Sequence, residues 1–427
     1  MHHPLHPPFQ IPNSKFLIPP CIGPVLAPNI VADIACHPLV TPRLQATIAD
    51  HTAPRGRHRH QPALSEHLIN MSTDSFPPEA NPLTAKLYQT LKRHPKRIVF
   101  TDGEDLRVIR VAARMVAMEV IVPILLGNKK KIKQMAADAS ISMTFVSVID
   151  PSIADDLELF CHRLKKMTRY QGREIADARE LMARPHNFGA MMVQYGHADG
   201  MIAGNDSMPA GIFRSAINMI KPLPGVPRVF GAMIMVAPHL KHFGRDGILF
   251  MADCGVIPDP DVQQLASIAV ETGKLARHFL GRTPRVAMLS HSTKGSGNSE
   301  SPKKMAAATV LARKMISDDY LDMEISGELQ ADVALDASAA EIKDPDAQAH
   351  QSADVLVFPN LDASHIALKL LQHVGGAQNY GQFIMGLARP TAQVPRTVSE
   401  ETLIGTAAIL GGEAIKFHEL YLEQLRK

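Results

Sequence analysis

The sequence predicts an α/β fold with mainly parallel sheets. Short apolar runs alternate with amphipathic segments of helical length, and polar or glycine-containing turns follow most of the apolar runs. Such alternation is typical of βαβ units, in which a helix connects two parallel strands. The chain has 427 residues, of which 45% are apolar, so it can form a large core and more than one domain.

Each element is predicted from the local pattern of apolar residues. Strands are predicted where a short apolar run ends in a turn, at residues 97–100, 121–126, 145–148, 199–204, 229–237, 247–254, 286–290, 353–359 and 383–387. Helices are predicted where apolar residues recur every three or four positions, at residues 83–91, 105–119, 175–182, 190–195, 260–279, 306–316 and 365–374. Two more helices are expected between residues 400 and 425.

This series of elements fits two α/β lobes with a cleft between them. The first series of strands and helices ends near residue 228, and a second begins near Val229. We therefore expect domain I to comprise residues 81–228 together with 397–427, and domain II to comprise residues 229–396. Loops at the ends of the strands would line the cleft.

Residues 1–80 differ in composition from the rest of the chain. Proline and histidine are concentrated there, as in MHHPLHPPF and HTAPRGRHRHQP. The apolar residues show neither a helical nor an alternating period. This composition predicts a disordered amino-terminal extension. The segment lacks the continuous apolar core of a secretory signal, and the ordered-looking sequence after Met71 suggests Met71 as the start of translation.

Composition and missing motifs disfavour several classes of function. The net charge of +3, the absence of tryptophan and the 5% aromatic content argue against a nucleic-acid partner. No run of about 18 uncharged apolar residues occurs, so we expect no membrane span. Four widely spaced cysteines are typical of reduced thiols in a cytoplasmic protein. The H-E-x-x-H, EF-hand and G-x-G-x-x-G patterns are absent, so neither a metal site nor a dinucleotide site is expected.

Residues 286–297, VAMLSHSTKGSG, join a buried strand to a polar loop and then a helix. Glycine lets a backbone approach a ligand closely, a helix start favours an anion, and lysine provides a point charge for phosphate. The loop therefore predicts a phosphate-binding segment that contains Ser292, Thr293, Lys294, Gly295 and Ser296. A plain βα loop that uses glycine for its turn remains an alternative.

Other polar clusters also follow predicted strands. They include the segment 205–207, which contains Ser207 and precedes Arg214 on the next helix, and the segments 252–255, 327–330, 360–362 and 389–396. Loops at strand ends often carry function, although each cluster could also close the sheet as a polar cap. Together they predict a cleft that contains hydroxyl groups and basic side chains.

Seven stretches together resemble the phosphate acetyltransferase/phosphate butyryltransferase family, the phosphotransacetylases. They are RIVFTDGEDLRVIRVA, NFGAMMVQYGHADGMIAG, LFMADCGVIPDPDVQQLASIA, RVAMLSHSTKGSG, SGELQADVAL, ADVLVFPNLDASHIALKLLQ and GLARP. The resemblance covers the chain from about Asn81 to its end. It implies reversible acyl transfer between CoA and phosphate, without a cofactor beyond the CoA substrate. It also implies isocitrate/isopropylmalate dehydrogenase-like domains, an active cleft between them and a homodimer.

The resemblance also implies which side chains bind the phosphate. The family's phosphate-binding arginine on the helix after ADGM-x-x-G matches Arg214, and the arginine of its S-R-G-C-S motif matches Arg396. A further family arginine is matched loosely by Arg169, and Met208 and Pro209 replace the family's hydroxyl pair, with Ser207 nearby. Arginine suits this role because its planar guanidinium binds two phosphate oxygens at once.

Two departures from the family concern the handling of protons. A family serine is replaced by Pro395, and a family aspartate, the usual candidate for the thiol base, is replaced by Thr402. A CoA thiol is mostly protonated at neutral pH and needs a base, which threonine cannot provide. Glu400 and Glu401 are candidate substitutes.

These departures leave an alternative class of function open. It is a catalytically silent module that binds acetyl-CoA, similar to the carboxyl-terminal domain of some malic enzymes. Only the extension of about 80 residues precedes the matching region, which favours a free-standing enzyme. An NAD-dependent decarboxylating dehydrogenase fits less well, because the sequence shows no recognisable group of metal-binding aspartates.

Overall fold

The computed structural model describes residues 81–167, 177–244, 246–344 and 352–426, with side chains through residue 417. The strands in these ranges are β1 Lys96–Phe100, β2 Ile121–Leu126, β3 Ser147–Ile149, β4 Gly200–Ala203, β5 Phe230–Val236, β6 Ile248–Ala252, β7 Arg285–Leu289, β8 Glu324–Leu329, β9 Val355–Val357, β10 Gln378–Met385 and β11 Thr391–Gln393. The helices are α1 Pro82–Arg93, α2 Leu106–Ala117, α3 Lys129–Asp138, α4 Leu157–Lys166, α5 Ala178–Ala183, α6 Pro185–Gln194, α7 Pro209–Met219, α8 Val262–Leu280, α9 Glu300–Asp318, α10 Ala331–Leu335, α11 Ala337–Lys343, α12 Leu361–His373 and α13 Glu400–Arg426.

All the described strands form one sheet, in the order β3-β2-β1-β4-β11-β10-β5-β6-β9-β7-β8. Strands β3, β2, β1, β4 and β11 are parallel to one another, and so are β6, β9, β7 and β8. Three antiparallel pairings, through β10 and β5, join the two groups, which therefore run in opposite directions. The predicted α/β class with a mainly parallel sheet is confirmed. The division into domains at residues 228 and 396 stays a prediction.

The strands form because their apolar residues are buried on both faces of the sheet. Every residue of β5 and β6 is buried. In β1, Ile98 and Phe100 pack into one apolar cluster, whereas Val99 packs into another. Because successive side chains of a strand point to opposite faces, helices cover both faces. That burial explains why these runs are continuous apolar sequence and not an alternating pattern.

Helix boundaries follow local capping chemistry. Helix α8 begins after Asp261, whose carboxylate accepts the backbone N–H of Gln264 while the Gln264 side chain accepts the N–H of Asp261. It ends at Gly281, whose φ of 67° lies in the left-handed region that glycine adopts without strain. Asn81 caps α1 and also donates to the Tyr380 hydroxyl group at 2.7 Å, which ties α1 to β10.

The carboxyl-terminal segment differs from the prediction of two helices, because α13 is one helix from Glu400 to Arg426. Its glycines allow close packing and do not break it. A Cβ atom on Gly405 would lie 2.2 Å from the Tyr380 ring, and one on Gly411 or Gly412 would lie 2.9 Å from a leucine of α1. Because glycine has no side chain, β10 and α1 can pack closely against α13 at these positions.

Several shorter segments also differ from the predictions. The strand predicted at residues 145–148 is β3, two residues later, because Phe145 has a φ of 61° and is exposed. The predictions omitted β8, whose sequence EISGEL is not a continuous apolar run, and β11, whose three residues are too short to show a period. None of the described helices combines the length and the hydropathy that a membrane-spanning helix needs. The predicted disordered extension 1–80, Met71 and Arg169 lie outside the described residues.

Candidate active site

A cavity of about 810 Å³ opens where the loops of the two parallel groups meet. From one group come Gly204 after β4 and residues 395–397 after β11. From the other come Cys254 and Gly255 after β6, and the first turns of α12 after β9. The lining is completed by Met208, Pro209 and Phe213 at the start of α7, Gln382 of β10 and Gln393 of β11. Carboxyl-terminal strand ends therefore surround the cavity, as is typical of ligand sites in α/β proteins.

The loop after β4 is fixed by Asp102, which follows β1. The Asp102 carboxylate accepts the backbone N–H groups of Gly204 at 2.7 Å and Asn205 at 3.2 Å, and the hydroxyl group of Ser207 at 2.5 Å. Ser207, which was predicted to bind substrate, thus donates its hydroxyl hydrogen bond to Asp102. It is not among the residues that line the cavity. The sequence analysis missed Asp102, although a carboxylate directly after a buried strand was a usable signal.

Arg107 of α2 connects the two loops from the first parallel group. Its guanidinium donates to the carbonyl oxygens of Arg396 at 2.7 Å, Val398 at 2.9 Å and Asn205 at 3.1 Å. Asp105 accepts two further hydrogen bonds from it and raises its pKa. Arg107 therefore positions the backbone that carries Arg396 relative to the loop after β4.

Arg396 lies on the cavity wall in the loop between β11 and α13. Its side chain is exposed, and Nη2 contacts the Sδ atom of Met208 at 2.7 Å. Within the described residues, no carboxylate forms an ion pair with it. A thioether is only a weak acceptor, so the guanidinium retains its capacity to bind an anion.

Arg214 lies on α7 next to Phe213, which lines the cavity, but Arg214 itself does not line it. Its side chain is exposed and makes no hydrogen bond or ion pair with another described residue. Helix α7 begins at Pro209 without a capping side chain, and Met208 and Pro209 line the cavity. The structure thus places the start of α7 beside Arg396, while the role of Arg214 stays a prediction.

The loop after β7 is folded around the carboxylate of Glu328 and is not part of the cavity lining. Glu328 Oε1 accepts the hydroxyl group of Ser292 at 2.9 Å and the N–H of Gly295 at 2.6 Å. Burial opposes the ionisation of Glu328, but these hydrogen bonds and the charge of Lys294 outweigh it, so its pKa lies below the usual value. Ser296 accepts the N–H of Thr293 at 3.0 Å. Many polar groups of this loop are therefore hydrogen-bonded to one another or to Glu328.

The acidic residues considered as substitutes for the family aspartate lie elsewhere. Glu400 pairs with Arg110 at 3.2 Å and Arg114 at 3.5 Å, and Glu401 pairs with Arg114 at 3.5 Å. The Thr402 hydroxyl group accepts a hydrogen bond from Ser399 at 3.1 Å. None of these side chains is among those that line the cavity. The structure therefore does not support either glutamate as the base.

A smaller cavity of about 90 Å³ adjoins the first and shares five lining residues with it, Cys254, His365, Gln382, Gln393 and Pro395. Two buried polar atoms here, Gln382 Nε2 and Asn379 Oδ1, have no hydrogen-bond partner among the described residues. Gly231 and Gly255 make room for the Gln382 amide, because a Cβ on either would lie within 2.0 Å of it. The Gln382 amide nitrogen is thus an unpaired donor that is buried against these two glycines.

The loop after β6 is held by Asp253, which is buried and accepts four backbone N–H groups, those of Gly231, Gly255, Val256 and Ile257. Burial raises the pKa of the neighbouring Cys254 thiol far above its usual value. This thiol therefore stays protonated, although it lines the cavity. Within the described ranges, no three histidine, cysteine or acidic side chains are grouped so that they could hold a metal ion.

The fold and the site together define an α/β protein with a cavity whose wall carries an arginine and the start of a helix. Residues 83–410 match the family model described as phosphate acetyl/butaryl transferase, and this chain belongs to that family. The resemblance recognised in the sequence is thereby confirmed.

Individual relatives match along nearly their whole length. A phosphate acetyltransferase from Acetivibrio thermocellus is 36% identical over 329 residues, which is 77% of this chain and 97% of the relative. The crystal structure of a phosphotransacetylase from Streptococcus pyogenes aligns with a TM-score of 0.72 at 31% identity, covering 78% of this chain and 98% of that one. EutD phosphotransacetylase from Staphylococcus aureus aligns with a TM-score of 0.69 at 32% identity, covering 78% and 99%.

Proposed function

We propose that this chain is a phosphate acetyltransferase that catalyses acetyl-CoA + phosphate ⇌ acetyl phosphate + CoA. Membership of the family and the names of the relatives support this activity. The observation that carries it is the position of Arg396, an exposed guanidinium without an acidic partner among the described residues, on the wall of an 810 Å³ cavity. A cavity of this size can enclose a small-molecule ligand.

Phosphate would bind between Arg396 and the start of α7. The guanidinium offers parallel N–H groups to two phosphate oxygens, and the positive end of the helix dipole favours the same anion. Met208 now contacts Arg396 Nη2 at 2.7 Å, so phosphate would replace a weak acceptor by a strong one. Arg214, Ser207 and the loop Ser292–Ser296 remain predicted contributors to substrate binding.

The acyl transfer is a direct displacement in this proposal. A phosphate oxygen attacks the thioester carbonyl carbon, the carbonyl oxygen gains negative charge, and the CoA sulfur leaves with its bonding electrons. Cys254 does not form an acyl intermediate, since burial keeps its thiol protonated.

A CoA-release assay tests the proposal. The purified chain is incubated with acetyl-, propionyl- or butyryl-CoA, with and without phosphate, while free thiol and acyl phosphate are measured. Release that requires phosphate and yields equal amounts of thiol and acyl phosphate supports the acyltransferase. Tight binding of acetyl-CoA without turnover of any substrate would instead support the regulatory module, which the named relatives do not favour.

The remaining expectations belong to the same proposal. We propose a cytoplasmic homodimer that uses acyl-CoA and phosphate as substrates, needs no further cofactor and binds neither nucleic acid nor membrane. Light scattering coupled to size-exclusion chromatography measures the oligomeric state. Activity that survives exhaustive dialysis against a chelator would agree with the absence of a bound cofactor.

A further inference from the structure

The proposed reaction requires a proton acceptor that the sequence analysis did not identify. When CoA attacks acetyl phosphate, its thiol must lose a proton, because the thiolate is the nucleophile. Glu400, Glu401 and Thr402 do not line the cavity. We propose that His365 of α12 accepts the thiol proton and returns it to the departing sulfur in the reverse direction. This inference rests on the proposed acyltransferase activity.

His365 is suitably placed because it lines both the large and the small cavity. Helix α12 begins after Asn360, whose side chain accepts the N–H of Ala363, and its Ser364 and Leu368 side chains are buried beneath the helix. This packing fixes the helix and turns the exposed His365 towards the junction of the cavities. Gln382, with its unpaired amide, lines the same junction.

The imidazole of His365 is not engaged elsewhere. No hydrogen bond or ion pair to another described residue uses it, in contrast to the carboxylates of Glu400 and Glu401. A neutral imidazole has one unprotonated ring nitrogen, which can accept a proton and later release it. Both requirements for a general base, access to the substrate cavity and a free ring nitrogen, are met.

The other ionisable groups that face this junction are poorer acceptors. Cys254, from the loop after β6, keeps its own proton because burial raises its pKa. Lys369 of α12 and Arg396 from the opposite loop are cations that donate and do not accept protons. Asp362, one turn before His365, lines the large cavity but not the small one, so it does not face the junction.

Acetyl-CoA forms by one proton transfer and one exchange of bonds at the acyl carbon. The S–H bond of CoA breaks and its proton forms an N–H bond on the imidazole, while the sulfur bonds to the acyl carbon of acetyl phosphate. The bond between that carbon and the bridging phosphate oxygen then breaks, and phosphate leaves with the electron pair. The imidazolium afterwards loses its proton to solvent or to the departing phosphate.

The test compares His365→Gln with a matched control, His373→Gln. His373 is the last residue of α12 and is exposed, but it does not line either cavity. Initial rates of acetyl-CoA formation from acetyl phosphate and CoA are measured from about pH 5.5 to 9, which brackets the titration of imidazole. His365→Gln should lower kcat by about 10²–10⁴-fold, with a much smaller change in the KM for acetyl phosphate. His373→Gln should retain wild-type rates.

The pH profile distinguishes a proton acceptor from a structural role. Wild-type kcat/KM should fall on the acid side as imidazole becomes protonated, and this limb should disappear in His365→Gln. Added imidazole should partly restore His365→Ala. A folded His365→Gln protein with wild-type kcat, or with an unchanged acid limb, overturns the inference. His365→Asn provides a second variant if the glutamine variant does not fold. A wild-type protein without turnover overturns the proposed function itself, so the two failures are distinguishable.

Discussion

Replacing Arg396 by alanine tests the phosphate site most directly. The guanidinium is exposed and contacts Met208 Sδ, with no carboxylate partner among the described residues. Its removal therefore leaves no buried charge unpaired, and we expect the stability to change by no more than about 0.5 kcal/mol. The fold around the site is held by Arg107, which bonds the backbone carbonyl of Arg396 and not its side chain.

The expected magnitude follows from the charge that Arg396 would contact. Loss of the hydrogen bonds to a charged group costs about 1.5–3 kcal/mol, which corresponds to roughly 10- to 150-fold in kcat/KM. We expect Arg396→Ala to lower kcat/KM for phosphate within that range. Arg396→Lys keeps the positive charge but loses the parallel N–H groups, so its loss should be smaller, about tenfold or roughly 1.4 kcal/mol.

Phosphate-dependent release of CoA measures the effect. Rates are determined over a range of phosphate concentrations for the wild type, Arg396→Ala, Arg396→Lys and the control Arg93→Ala, an exposed arginine at the end of α1. Thermal unfolding of each protein confirms that it is folded. If Arg396→Ala remained within threefold of wild-type kcat/KM, the assignment of Arg396 to phosphate would be wrong.

Three further predictions concern residues that hold the site or the core. Arg107→Met removes hydrogen bonds to three carbonyl oxygens, so the loop of Arg396 should loosen and kcat should fall by about tenfold, roughly 1.4 kcal/mol. Gly405→Ala places a Cβ 2.2 Å from the Tyr380 ring, which is buried and hydrogen-bonded through its hydroxyl group, so chemical denaturation should show a loss of about 1–3 kcal/mol. Burial lowers the pKa of His278 to about 4, so the folded state resists its protonation. Stability should fall by about 3 kcal/mol as the pH drops from about 6.5 to 4, and His278→Gln should remove much of this pH dependence.

Each of these predictions has a control. Arg107→Lys keeps the charge and should lose less activity than Arg107→Met. If both variants had the kcat of the wild type, Arg107 would not have a positioning role. Gly211 lies on α7, and a Cβ there meets nothing within 4 Å, so Gly211→Ala should not destabilise the protein. Identical stability curves against pH for the wild type and His278→Gln would show that His278 does not titrate on unfolding.

Much of the fold could be predicted from local pattern. The buried run of β2 and the amphipathic period of α2 are each visible within one segment, and both were placed within two residues of the observed ends. The single helix α13 could not be predicted, because Gly405, Gly411 and Gly412 contact distant elements. A local sequence pattern does not show whether a glycine breaks a helix or makes room for a neighbour.

The site was predictable only in part. Arg396 was predicted through the family resemblance and lies on the cavity wall. His365 was assigned only to a helix, because Gln382 and Arg396, which line the same cavity, follow it by 17 and 31 residues in the chain. Glu400 was considered as a base, yet two arginines of α2 hold it away from the cavity lining.

By itself the sequence determined the alternation of strands and helices, the burial of the strands and the family, because these depend on residues close together in the chain. Only the tertiary structure decided which side chains share a cavity. Two groups of parallel strands that run in opposite directions are joined through β10 and β5, and their loops meet at the cavity that contains Arg396 and His365. That meeting depends on the pairing of strands far apart in sequence, which is set by the packing of the whole sheet.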